Sequence, residues 1–544
     1  MKQRRIITLC ILIFLVAAGI IIYRNMQPRL LAIDPVIVMS GDLVNIAGRN
    51  LGKKEGELLL DNVPLPSQAI LFWSPFLINF RMPSNYESAV VRVKTGLGVS
   101  NPLMVALASK VPSKAENNLI QQHNPSITSI KPSTNAQIGK LIELRGSHFG
   151  MPEEESAVLF SKVPIISTLE AIDADNFARV ESISLLVDKW NDSYIAAYVP
   201  DGTENGYVLV RTRNGLSNAF PISISRNPGR LSRGDSVTYT LKDTLVVHIA
   251  ASLPDGRVSF ILARPPVTQY QSTMATIEAG ADHLRAETAV WQEVRLGAAD
   301  ARLGRIELQR RLIIDVCEIT ADITIGTLQP LGTKPPAFLS PYLAEDALVP
   351  STNPSIISAA LSMKKKEKNP FRQIMLATQW TFSNIKLKQE KQSFGDDPID
   401  ALKSKAGGIR SLVLINCALL RALNIPAIPV AGFLVTEDMR LIPHYWSEYY
   451  LIGIGWIPFD PALAIGMIPS GFRPVFSNRS NYYQGIDNKH IAMARGYQLL
   501  PSIPAEAQKK SKIPWSLFEY DEVAHGLSYT STWNPPILLS TTIQ

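Results

Sequence analysis

The sequence predicts a multidomain chain: an N-terminal transmembrane helix, three all-β sandwich domains, then an α+β domain. Three observations carry this reading. Residues 6–23 form an unbroken apolar run, strand-like segments recur twice in one order before residue 230, and from Pro370 the apolar spacing turns helical. At 544 residues the chain exceeds one core, and its length fits roughly three to five domains. With 46% hydrophobic and 19% charged residues it has the composition of an ordered protein. Its net charge of +7 (54 cations against 47 anions) is thin over this length. No basic stripe carries interleaved aromatics, so no nucleic-acid partner is expected.

Residues 1–29 read as a cytoplasmic tail and membrane anchor. Lys2, Arg4 and Arg5 precede the apolar run Ile6 to Tyr23, and Arg24 closes it. A run of 18 uncharged residues is long enough for a membrane helix. A cleavable signal would stop after its small residues, but Ala17-Ala18-Gly19 is followed by Ile20-Ile21-Ile22. The positive flank should stay in the cytoplasm, which places the bulk of the chain outside it. The expected location is single-pass in a bacterial inner membrane, facing the periplasm or another extracytoplasmic space. Of the three cysteines, Cys10 lies in the run, Cys317 in a strand-like segment and Cys417 in a helix-like one. This is no disulfide framework, and two separate buried thiols are the expectation.

Residues 30–108 and 125–228 are two copies of one module. The first contains GDLVNIAGRNLG (Gly41 to Gly52), FWSPFLINFRMP (Phe72 to Pro83) and VVRVKTGLGVSNP (Val90 to Pro102). The second repeats the order with GKLIELRGSHFG (Gly139 to Gly150), KWNDSYIAAYVP (Lys189 to Pro200) and YVLVRTRNGLSNAF (Tyr207 to Phe220). Alternating apolar residues between turn formers argue antiparallel sandwiches. The pair resembles the immunoglobulin-like fold called IPT/TIG. That resemblance implies core roles for Trp73 and Trp190, and turns of positive φ at Gly48, Gly52, Gly146 and Gly150. Ser109 to Asn124 reads as a polar linker, and Ile166 to Ser184 as an insertion.

Residues 231–332 are again strand-rich and read as a third sandwich. Pro335, Pro336, Pro341 and Pro350 mark a connection to the α+β domain at 350–500. The run Lys364-Lys365-Lys366-Glu367-Lys368 reads as a solvated loop or helix end. The tail, 501–544, holds several prolines and reads as an irregular packing segment.

Three motifs within 350–500 carry chemistry: GGIRSLVLINCALLRALNIPA from Gly407, HYWSEYYL from His444, and GWIPFDP ending at Asp460 and Pro461. They resemble the core of the transglutaminase-like superfamily, which uses a papain-like Cys-His-Asp site. The resemblance implies His444 as the base and Asp460 as the group that orients it. It places the nucleophile 12 residues before Arg421, at Ile409, and an Ile has no lone pair to attack a carbonyl. Cys417 is the alternative nucleophile. It lies eight residues on, about 12 Å along a helix and beyond the reach of a base set for position 409. Cys417 also follows an apolar helical pattern with Val413 and Leu420, as a small buried hydrophobe would. GIDNKHIAMARG (Gly485 to Gly496) resembles the family's closing segment, with His490 in a structural role.

The seven histidines show no metal-ligand spacing and there is no phosphate loop, so neither metal nor cofactor is expected. Three functional readings follow. One is a non-catalytic, membrane-anchored envelope protein whose modules or core pocket bind envelope proteins or peptides. The second is an active cysteine protease or amide transferase using Cys417 with His444 and Asp460. In the third, the His-Asp pair activates water directly.

Overall fold

The computed structural model describes residues 26–34, 37–38, 41–83, 88–107, 124–162, 177–388, 397–501, 504, 506–510, 513, 516–518 and 520–543. The apolar run 6–23, most of the linker 109–124 and much of the insertion 166–184 lie outside them. Among the described residues, no helix is long and apolar enough to cross a membrane. The chain divides into two compact units, one ending at Ser225 and one beginning at Arg226.

The first unit is a pair of two-sheet sandwiches built alike. In the first, the strands Arg29–Asp34, Leu43–Arg49, Leu77–Arg81 and Ile70–Trp73 form one sheet. Ser126–Lys131, Leu141–Ser147, Tyr194–Tyr198 and Val187–Asn191 repeat that order in the second. The duplication reaches single hydrogen bonds. Trp73 Nε1 donates to Leu51 O at 3.1 Å, and Trp190 Nε1 to Phe149 O at 3.2 Å. Gly52 and Gly150 have the expected positive φ, at 93° and 65°. Gly48 and Gly146 do not, which corrects the expectation for them. They are glycines because a Cβ would stand 2.6 Å from Arg29 O in one module and 1.9 Å from Ser126 O in the other. The sandwiches pack on each other through Ala47, Leu77 and Phe72 against Leu159, Leu209 and Tyr207.

In the second unit, the expected third sandwich at 231–332 is a single antiparallel sheet of long strands. Its spine is the 35-residue strand Gly229–Ala263. Arg305–Ile323 pairs with residues 229–248 and Trp291–Gly297 with 257–263. The tail expected to be irregular is instead the 22-residue strand Glu522–Ile543, paired with residues 237–260 of the spine. Alternation explains the sheet's burial: Tyr239 and Leu241 point inward with Leu312 and Ile314, while Ile313 between them is exposed.

The α+β domain packs the helices Pro354–Lys364, Pro370–Asn384, Pro398–Ser404 and Ile409–Ala422 beside a four-stranded antiparallel sheet. That sheet runs Gly455–Phe459, Leu441–Leu451, Ala427–Val435, His490–Arg495. Three of the helices start alike: Asn353, Asn369 and Asp397 accept backbone N–H groups, and each is followed by Pro. The helix Ile409–Ala422 contains neither Gly nor Pro, and Ser411 to Arg421 are all buried. Asn424, with φ of 62°, ends it in the left-handed region that Asn tolerates. Arg421 donates to Ala427 O at 3.0 Å and Ala344 O at 2.6 Å, and pairs with Asp346 at 2.7 Å, tying the incoming chain to the helix.

Candidate active site

The strand Leu441–Leu451 sends alternate side chains to opposite faces of its sheet. Tyr445, Ser447 and Tyr449 face the central helix. Cys417 Sγ lies 3.3 Å from Ser447 Oγ, and both tyrosines share the core of that helix. His444, Trp446 and Glu448 face the other way, toward the long sheet. Trp446 packs with Cys317 and Ile319, and Glu448 accepts from Tyr270 OH at 2.8 Å and Arg495 Nη2 at 2.7 Å. The His444 ring stacks on Trp446 with centroids 6.4 Å apart.

His444 and Asp460 are together, as expected. Nε2 of His444 is 2.6 Å from Asp460 Oδ2. Asp460 also caps the short helix Pro461–Ala464, its Oδ1 accepting from the N–H of Ala462 and Leu463 at 2.9 Å each. One carboxylate thus serves an imidazole with one oxygen and a helix start with the other.

His490 joins the same carboxylate, with Nε2 3.3 Å from Asp460 Oδ2 and Nδ1 2.7 Å from Asp487 Oδ1. Tyr482 OH donates to Asp487 Oδ2, and the backbone N–H of Val475 and Lys489 complete that carboxylate. His444, Asp460, His490, Asp487 and Tyr482 therefore form one buried chain, with no member more than 3% exposed. An imidazole between two ionised carboxylates donates from both nitrogens, which favours the imidazolium form of His490. Burial opposes that charge, but Asp487 and Asp460 outweigh it and push the pKa up to about 9. Burial likewise works against ionised Asp460, and the two histidines still hold it well below the usual carboxylate range. His490 also holds Asp487 below that range, against its own burial.

The other two sequence candidates, Ile409 and Cys417, share no hydrogen bond with this network. Ile409 is the first residue of the central helix, half-buried against its apolar core, with Gly408 as the cap. Cys417 is fully buried on the face opposite His444, and burial pushes its thiol up to about 11 despite the Ser447 contact. Burial and a raised pKa both disfavour the thiolate, the form of cysteine that attacks. Cys317 and Cys417 are separate free thiols in different cores. Among the described residues, no group of three His, Cys, Asp or Glu could hold a metal ion.

Sequence reasoning did not identify Asp487 and Tyr482, and gave His490 no link to Asp460. The available signal was the i, i+3 pair Asp487 and His490 in GIDNKHI. Nothing local tied that pair to residue 460.

A family model of the transglutaminase-like superfamily matches residues 357–461. No curated protein matches the chain. A solved structure titled “Putative Cysteine Protease from Cytophaga hutchinsonii” is similar at 14% identity, covering 57% of this chain and 92% of that one, with a TM-score of 0.37. The periplasmic domain of TgpA from Pseudomonas aeruginosa is similar at 15% identity over 40% of this chain and 87% of that one, with a TM-score of 0.23. SGBP-B from a xyloglucan utilization locus in Bacteroides uniformis is similar at 10% identity over 54% and 99%, with a TM-score of 0.16. At these scores the structural likenesses carry no argument about chemistry. The family match and the ordered motifs identify residues 357–461 as a transglutaminase-like domain.

Proposed function

We propose that this is a non-catalytic, membrane-anchored protein of the bacterial envelope, held by residues 6–23. In this reading the two N-terminal sandwiches are IPT/TIG-like modules that space or dock, and the transglutaminase-like domain binds rather than reacts. The observation that carries it is Ile409 at the start of the central helix, where the family resemblance puts the nucleophile. A thiol there would gain from the positive end of the helix dipole, whereas the sec-butyl side chain of isoleucine only packs. The buried His444–Asp460 pair is compatible with the same reading, because a hydrogen-bonded His–Asp pair needs no catalysis to explain it. The alternative of an active enzyme using Cys417 is opposed by that thiol's place on the far face from His444.

The test is amide chemistry. Full-length protein incubated with a glutamine-containing peptide, with and without methylamine, should release ammonia no faster than buffer, and His444→Ala should change nothing. Ammonia release or amine incorporation that vanishes in His444→Ala would overturn the proposal.

A further inference from the structure

Outside the histidine–carboxylate network, the long sheet carries an open groove of about 250 Å³. Arg257, Ser259 and Ile261 alternate onto its floor from the spine strand. The strand Trp291–Gly297 sets Arg295 opposite Ser259 and Glu293 opposite Ile261. The C-terminal strand sets His525 opposite Arg257. Pro501, Pro504 and Tyr520 wall the groove.

Among the lining residues two guanidiniums, Arg257 and Arg295, meet one carboxylate, Glu293. Glu293 is buried and spoken for, accepting from Arg295 Nη2 at 2.6 Å and from Ser259 Oγ at 2.6 Å. His525 Nε2 is 3.7 Å from an Asp255 carboxylate whose side chain is 71% exposed, too solvated to bind it strongly. The Arg257 side chain is exposed, with no ion pair or side-chain hydrogen bond among the described residues. The groove therefore presents one uncommitted guanidinium beside an imidazole, between apolar walls. A guanidinium fork matches a carboxylate in two parallel hydrogen bonds. The volume falls below the roughly 300–1,000 Å³ of sites for larger ligands, which fits a small molecule.

We propose that this groove binds an organic carboxylate of dipeptide size, with Arg257 and His525 on the carboxylate and the proline–tyrosine wall on the apolar body. The proposal does not rest on the loss of catalysis in the transglutaminase-like domain, and its failure would leave that reading standing. Calorimetric titration of full-length protein with N-acetyl-Ala-Ala, its C-terminal amide and inorganic phosphate tests it. The free acid should bind saturably, the amide at least about tenfold more weakly, and Arg257→Gln should cost the acid at least about tenfold, because each change removes a charge-assisted hydrogen bond. Arg257 is exposed, so the variant should melt as wild type does. No saturable binding of the acid, equal binding of acid and amide, an unaffected Arg257→Gln, or phosphate binding tighter than the acid would each overturn it.

Discussion

Replacing Asp460 by Ala should lower the melting temperature of the second unit on the order of 10 °C. Breaking a buried charge pair by removing one partner costs about 3–5 kcal/mol, and each kcal/mol moves the midpoint of a domain of this class by roughly 2–4 °C. Four donors converge on this one carboxylate: Nε2 of His444, Nε2 of His490, and the N–H groups of Ala462 and Leu463. Truncation leaves them all without an acceptor in a site closed to water. The exposed Asp400, 3.7 Å from Lys403, is the control. Asp400→Ala should cost less than about 0.5 kcal/mol, since surface pairs contribute little. A shift at Asp460 no larger than at Asp400 would mean that the network is solvated.

The stability contributed by His490 should fall with rising pH by about 3 kcal/mol. Its folded-state pKa of about 9 lies above the unfolded value near 6.5, and each unit of difference is worth about 1.4 kcal/mol. A raised value means that the contribution is complete below about pH 6.5 and is lost as the pH climbs through about 9. The groups facing His490 are the carboxylates of Asp460 and Asp487, the His444 imidazole and the Tyr482 ring, with Trp446 and Phe472 closing the pocket. Both carboxylates are depressed, so their share is present above about pH 4 and lost only in stronger acid. Urea unfolding of wild type and His490→Gln at pH 6, 7.5 and 9.5 reads the effect. The difference between the two proteins should shrink steadily across that series. A difference that stays constant would show His490 to be neutral in the folded state.

Local chemistry made much of this fold legible. The turn to helical spacing at Pro370 was legible, and a helix starts there with Asn369 as its cap. The duplicated modules were legible down to Trp73 and Trp190, whose indoles meet the same turn in each copy. The long sheet was not. Leu253-Pro254-Asp255-Gly256 has the composition of a turn between two strands. Here it is absorbed as a bulge between Ser252 and Arg257, within one continuous strand. Pro535 and Pro536 argued against a strand in the tail. They escape the ladder because the register slips between Asn534 and Ile537, which pair with Thr244 and Lys242. Pairing between residues this far apart leaves no mark in either local pattern.

The site divides the same way. His444 and Asp460 were legible because each sits in a motif. Their union with His490 and Asp487 was not, because it depends on the edge strand His490–Arg495 reaching its place beside Ala427–Val435. The same sheet settles what Cys417 can do. Position along the helix already set it apart from Ile409, and the alternation of the strand Leu441–Leu451 adds that its partner is Ser447, on the face away from His444.

Iodoacetamide labelling of the native protein against pH reads whether this transglutaminase-like domain retains a working thiol nucleophile. No labelling of Cys417 is expected between pH 6 and 9 until the protein is unfolded, in wild type and His444→Ala alike, because burial pushes that thiol up to about 11. Fast labelling of native Cys417 below pH 7 that slows in His444→Ala would reveal an activated thiolate paired with His444, and the domain would then be a cysteine enzyme.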